Sequence, residues 1–165
     1  MELQEARQRF IESWGTLGSA WGINRTMAQI HALLLSRAKP LCTDDIIEAL
    51  RISRGNVNMN VRALIDWGLV HKHVKIGERK EFFVAEKDMF KVVQRIIVER
   101  KKRELEPMMH ILNEIEHVEG DGEAAQTFRE VIQDLKVFSE RADAVLERLS
   151  TADPNWLTTT LLKMV

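Results

Sequence analysis

Between Ser53 and Arg62 the chain reads Ser53-Arg54-Gly55-Asn56-Val57-Asn58-Met59-Asn60-Val61-Arg62, three asparagines and two arginines set around a spaced pair of valines. Amide and guanidinium groups pair in bidentate fashion with base edges, Asn with adenine and Arg with guanine. At about 100° per residue, Val57, Val61, Leu64 and Ile65 line one side of a helix. Gly55, Asn56, Met59, Arg62 and Ala63 fall opposite, with Asn58 and Asn60 on the flanks and Arg54 in the first turn. Three asparagines so close together do not favour a helix, because their amides compete for the backbone, so recognition accounts for them better than local stability does. Phosphate contacts need cations and donors nearby, which Ser53, Arg51, Lys75, Arg79 and Lys80 supply. The chemistry expected is the reading of double-stranded DNA, against the plainer alternative of a solvated polar helix.

Other constellations point to less. His110, Glu114 and His117 share a helix face at ligand-like spacing, but a fourth ligand and a supporting shell are missing, so no metal is expected. Cys42 is the single cysteine and is read as a small buried hydrophobe. Phosphate-binding glycine loops, nucleophile elbows and paired His-carboxylate sets are absent from the sequence, so neither enzyme chemistry nor a cofactor is expected. Phe10, Trp14 and Trp21 lie on one face of the first helix, an aromatic stripe whose plain reading is core packing.

Elements that would position the DNA-reading residues follow from periodicity. Leu3, Ala6, Phe10, Trp14, Leu17 and Trp21 predict a first helix ended by Gly22. Asn24 caps a second, with Met27, Ile30, Leu34 and Ala38 apolar, and Pro40 breaks it. Thr43, Asp44 and Asp45 start a short third helix with Ile46, Ile47 and Leu50 inward. Ser53 caps the fourth. Val70, Val74 and Ile76 then alternate with His71, His73 and Lys75, a strand pattern. After the turn Gly77-Glu78-Arg79-Lys80, Phe82 and Val84 form the returning strand of a hairpin with a basic tip. Three helices and a trailing two-stranded β-hairpin in this order predict a mainly α protein, a winged helix-turn-helix whose second motif helix enters the major groove.

The C-terminal part is helical throughout. Asp88 opens a helix, Pro107 kinks or restarts it, and Gly120-Asp121-Gly122 ends the next segment. Phe128, Val131, Leu135, Phe138, Ala142, Val145 and Leu149 then alternate steps of three and four, a helix-packing seam. Pairing of two copies through this seam is expected, because Phe128 and Phe138 together with the flank of Ile132 and Leu146 are hard for a monomer to hide. An apolar tail with Trp156, Leu157 and Leu161 follows. The expected division is 1–22, an N-terminal helix packing on the dimerisation part; 23–87, the DNA-binding domain; and 88–165, the long dimerisation helices.

Composition agrees with this class. The chain has 165 residues, 45% hydrophobic and 30% charged, with no apolar run near the roughly 18 residues of a bilayer helix. Glu2 and Glu5 with no apolar stretch behind them do not resemble a secretory signal, so no membrane partner and a cytoplasmic location are expected. The net charge of −1 conceals an uneven distribution: 0 over residues 1–36, +5 over 37–106 and −6 over 107–165. A basic middle beside an acidic end suits one segment that meets a polyanion and another kept off it. The rival expectation is a winged helix that docks an acidic protein instead of DNA.

Two stretches carry a family resemblance. Ser53-Arg54-Gly55-Asn56-Val57-Asn58-Met59-Asn60-Val61-Arg62-Ala63-Leu64-Ile65-Asp66-Trp67-Gly68-Leu69-Val70 and Gly77-Glu78-Arg79-Lys80-Glu81-Phe82-Phe83-Val84-Ala85-Glu86-Lys87-Asp88 resemble the glycine-betaine-synthesis regulator (GbsR-like) branch of the MarR winged-helix family. The order of elements agrees from about residue 5 to 115, while residues 120 to 165 agree only in being helical. The resemblance implies a homodimeric prokaryotic transcription factor, usually a repressor, with Ser53 to Arg62 in the major groove and Arg79 in the wing. Members with a known role often govern osmoprotectant genes and sense choline-like ligands, which makes Phe10, Trp14 and Trp21 the candidate small-molecule effector contacts; with no tyrosine in the chain, that cage is sparse.

Overall fold

Helix α1 (Leu3–Ala20) lies on α2 (Arg25–Leu35) through glycine rather than through its bulky residues. Ile11, Gly15 and Gly18 are its buried positions, and a methyl group at Gly18 would stand 2.6 Å from Ala28 Cβ, so only glycine lets the two backbones come this close. The stripe expected to be buried is displaced by one position: Leu3, Phe10, Leu17 and Trp21 are exposed. Gly22, at φ 74°, reverses the chain, and Ile23 N–H donates back to Gly18 O at 2.8 Å. Asn24 then caps α2 by accepting from Met27 N–H at 3.1 Å.

The computed structural model describes residues 1–153 and divides the chain into two compact units, one of residues 1–92 and one beginning at Val93. The predicted tail with Trp156, Leu157 and Leu161 lies outside the described residues. In the first unit, α2 is followed by β1 (Leu41–Cys42), α3 (Thr43–Leu50), α4 (Arg54–Asp66), β2 (Val70–His73) and β3 (Phe82–Ala85). The core is made by Ile30 and Leu33 of α2, Ile46 of α3, Val57, Val61 and Leu64 of α4, and Val70 of β2. Cys42 is buried with a free thiol.

A three-stranded antiparallel sheet in the order β1-β3-β2 stands where two strands were expected. Leu41 pairs with Phe83 and Cys42 with Phe82, so β3 is covered on both edges. The extra strand is two residues long, too short for any alternation to show. Val74 and Ile76 are a second correction. They fall beyond the end of β2 and are 85% and 102% exposed, because the pairing of His73 with Phe82 is the last of the ladder and the chain leaves the sheet there. Thr43 is also not the cap of α3; the helix begins after Cys42, whose N–H donates to the Asp45 carboxylate at 2.8 Å.

Helix α5 (Met89–Arg100) runs without a break into a π-helical turn, Lys101–Leu105, and on into α6 (Glu106–Ile115). Pro107 has no N–H to offer the carbonyl four residues back and its ring crowds it, which the wider turn accommodates. Within the second unit α7 (Glu123–Thr151) packs on α6 and on this turn. Lys101 is held there by Asp143 at 3.1 Å and Glu147 at 2.6 Å.

His31 is the buried polar residue whose environment makes a measurable difference. It is 3% exposed, its Nε2 has no hydrogen-bond partner, and its ring lies 6.2 Å from that of Trp14. Burial, helped by the nearby Lys87 charge, pushes its pKa down from 6.5 to about 4. Lys87 is itself tied to the end of α2, donating to the carbonyls of Leu34, Leu35 and Arg37. The unfolded chain therefore takes up a proton on His31 as the pH falls below 6.5 while the folded chain does not. Stability drains away between about pH 6.5 and pH 4 by about 2–3 kcal/mol. Urea denaturation at pH 6.5 and 4.5 should show this loss in the native protein and a smaller one in His31→Leu.

Candidate nucleic-acid interface

The helix-turn-helix pair α3–α4 is joined by a tight turn in which Arg51 takes the left-handed conformation, φ 55°. A non-glycine residue there costs roughly 1 kcal/mol, yet the position carries a cation. Ser53 then caps α4, its hydroxyl accepting from Asn56 N–H at 3.3 Å. Val57, Val61 and Leu64 are buried on one side, which turns Ser53, Arg54, Asn58, Met59 and Arg62 outward; Asn56 is half-buried beside them.

Asn60 is the correction to the expected reading face. It is 3% exposed, since it lies only about 60° round the helix from Val57 and on the inward flank. Its amide nitrogen donates both hydrogens to Asn56, to the backbone carbonyl at 2.8 Å and to the side-chain oxygen at 2.7 Å. Asn60 thus cannot reach a base edge. It holds the Asn56 amide in one orientation, a positioning role for which the sequence offers only the i, i+4 spacing of two asparagines as a signal.

The β2–β3 hairpin contributes the remaining candidates. Its tip begins at Val74, turns at Gly77 with φ 86°, and is closed by a bond from Glu78 N–H to Lys75 O at 3.1 Å. Arg79 is exposed on this tip. Lys75 folds back so that its ammonium sits 3.6 Å from the centre of the Phe82 ring. Lys80 reaches the other way, to α3: its ammonium donates to the Asp44 carboxylate at 2.9 Å, and the other oxygen of that carboxylate accepts from Arg54. The two cations hold the Asp44 carboxyl below the usual carboxylate range, Lys80 contributing most, and Asp44 in turn raises the Lys80 ammonium above its ordinary value. The start of α4 and the returning end of the hairpin tip are therefore neighbours, brought together by one carboxylate that the sequence marked only as first-turn negative charge of α3.

The remaining candidates are scattered. Phe10 and Trp14 do meet, ring centres 5.5 Å apart, and Trp14 continues to His31. Trp21 instead forms the exposed end of α1. His110 pairs with Glu114 at 3.2 Å and His117 with Glu116 at 3.6 Å. Among the described residues no group of three or more His, Cys, Asp or Glu is placed to hold a metal ion, and no helix is long and apolar enough to cross a membrane.

Exposed cations and amides thus stand on a helix-turn-helix and on the antiparallel sheet beside it. The fold is that of a solved transcriptional regulator, matched with a TM-score of 0.67 over 88% of this chain and 95% of that one at 16% identity. In sequence the chain is similar to HTH-type transcriptional regulators of Bacillus subtilis (strain 168). It is 29% identical to the HTH-type transcriptional repressor GbsR over 63% of this chain and 57% of that protein. It is 24% identical to the putative HTH-type transcriptional regulator YvaV over 81% and 80%, and 23% identical to the HTH-type transcriptional repressor OpcR over 53% and 48%. The match thus spans little more than half the length of GbsR. No family model matches. These relatives are regulators of transcription, not enzymes.

The Asn60–Asn56 bridge makes a specific claim about stability. Asn60→Ala should cost about 1–2 kcal/mol, from lost hydrogen bonds to a half-buried amide. Asn60→Asp, the same shape without the donors, should cost more at pH 7, because it sets a carboxylate against two Asn56 oxygens. Thermal or urea unfolding of both variants decides it.

Proposed function

We propose that the chain is a homodimeric transcriptional regulator of the MarR type, a repressor that reads operator DNA with α4 in the major groove and uses the β2–β3 hairpin as its wing. The observation that carries this reading is the meeting of Arg54 and Lys80 at Asp44, which puts the start of the recognition helix and the basic hairpin on one surface. Arg54, Asn56, Asn58, Met59 and Arg62 are the base-reading candidates. Ser53, Arg51, Lys75, Arg79 and Lys80 supply the phosphate and minor-groove contacts.

Dimerisation is supported by α7, whose two sides differ. Ile132 and Ser139 are buried within the unit and Leu146 is half-buried, so this flank is used by the chain itself. Phe128, Val131, Leu135, Phe138 and Val145 are all exposed, Phe138 by 71%, and Leu149 ends the same stripe. A second copy placed on this seam would hide it and supply a second recognition helix for a half-site about 34 Å away or a multiple of that. Met108 and Ile111 add exposed apolar area on α6. An effector, with Phe10 and Trp14 as its aromatic contacts, would act by binding more tightly to a dimer whose helix spacing no longer suits the half-sites.

Fluorescence anisotropy with duplex DNA from upstream of the protein's own gene tests the reading. Arg54→Ala should cost about 1–3 kcal/mol and relax sequence preference, whereas Arg79→Ala should weaken all sequences alike and lower the salt slope by about one. Equal, sequence-blind losses from both variants would remove base reading by Arg54. Leu135→Asp should halve the mass seen by light scattering, and an unchanged mass in a folded variant would move the seam elsewhere.

A further inference from the structure

We propose that Asp44 is a specificity-determining residue, a carboxylate inside the DNA-facing surface that keeps Arg54 and Lys80 occupied until a base edge claims the guanidinium. This inference rests on the DNA-binding reading above and assigns a role to a residue that takes no part in it as a contact.

The local chemistry leaves Asp44 little else to do. Acidic side chains early in a helix ordinarily serve the cap, but at α3 that position is filled by Asp45, whose carboxylate accepts the Cys42 N–H. Asp44 uses both oxygens on cations from elsewhere in the chain: Arg54, ten residues on, and Lys80, thirty-six residues on. Both pairs are solvent-exposed, where water and salt screen them, so they add little to stability. A carboxylate that contributes so little to folding and stands where phosphates should approach needs a reason connected with binding.

The reason is the difference between a phosphate and a base edge as a competitor. On DNA of arbitrary sequence, Arg54 could gain a single phosphate contact, an interaction that every duplex offers. With Asp44 beside it the guanidinium already has an anion, so that contact brings little. On an operator, Arg54 gains a bidentate pair with guanine, which is directional and absent from the wrong sequence. Lys80 can remain on Asp44 and still donate to a phosphate, since an ammonium has three hydrogens. Asp44 therefore subtracts mainly from the term common to all sequences and leaves the sequence-dependent term standing.

Asp44→Asn removes the charge and keeps the shape. Titrated by anisotropy between low and moderate salt, it should bind a scrambled duplex roughly five- to tenfold more tightly than the native chain does, with a salt slope steeper by about one. Its affinity for a genomic fragment retained by the native protein should rise less, so discrimination shrinks. Asp44→Glu, which keeps the charge, should restore most of it. In the free protein, Lys80 should acetylate faster with acetic anhydride in Asp44→Asn than in the native chain, because the ammonium has lost its partner. Unchanged affinities and slopes in Asp44→Asn, uniformly weaker binding in a variant of native thermal stability, or an unchanged Lys80 acetylation rate would each overturn the inference while leaving DNA binding intact. A native chain that binds no duplex at any salt would overturn the DNA reading and this inference together.

Discussion

Burial of Val57, Val61 and Leu64 is the constraint on which the rest of the first unit depends. These three side chains seat α4 against α2 and α3, and each contributes about 1.5–3 kcal/mol by leaving water. The energy matters less than the direction. A helix anchored along one stripe cannot roll, so every residue on its far side has a fixed azimuth, and reading of base edges requires that fixity more than it requires any particular polar side chain. Ser53 completes the arrangement by ending the helix at a defined residue, which sets how far Arg54 protrudes past the rod.

Much of this was legible in the sequence because it depends on local rules. The caps at Asn24 and Ser53, the break at Gly22 and the inward stripe of α4 are periodic or chemical signals contained within a few residues. What was not legible depends on residues distant along the chain. The strand at Leu41–Cys42 exists only because Phe82 and Phe83 present an open edge to it. Val74 and Ile76 keep the alternation of a strand but lie past the last paired residue, so the pattern outlasts the structure. Asn60 shows the finer limit: a helical wheel places it on a flank, and only the packing around Val57 and Val61 decides that the flank is inside.

The first and last helices of the described residues illustrate a related ambiguity. Both α1 and α7 carry an apolar stripe that periodicity reads as a face to be buried. In α1 the chain instead buries the adjacent glycine face, Gly15 and Gly18, because close backbone approach to α2 gains more contact than large side chains would at that distance. In α7 the chain buries Ile132 and Ser139 and leaves Phe128, Val131 and Leu135 outside. Periodicity identifies that a stripe must be covered but is silent on whether the cover belongs to the same chain. That distinction requires knowing which stripe the chain has already used.

Charge divides in the same way. The surplus of cations over residues 37–106 first points to a polyanion, yet part of it never faces one. Lys101 is enclosed by Asp143 and Glu147, Arg100 is paired with Glu104 and Arg103 with Glu99, all in the second unit, where they tie the π-helical turn to α7 or brace its own surface. The exposed cations at the candidate interface are Arg51, Arg54, Arg62 and those of the hairpin tip, and two of the set, Arg54 and Lys80, share Asp44. A segment sum overstates the field at the site because it counts charges that the fold has already neutralised. What remains is modest, and on the proposed DNA-binding reading a modest field would bring a duplex to the surface while leaving the choice of sequence to α4.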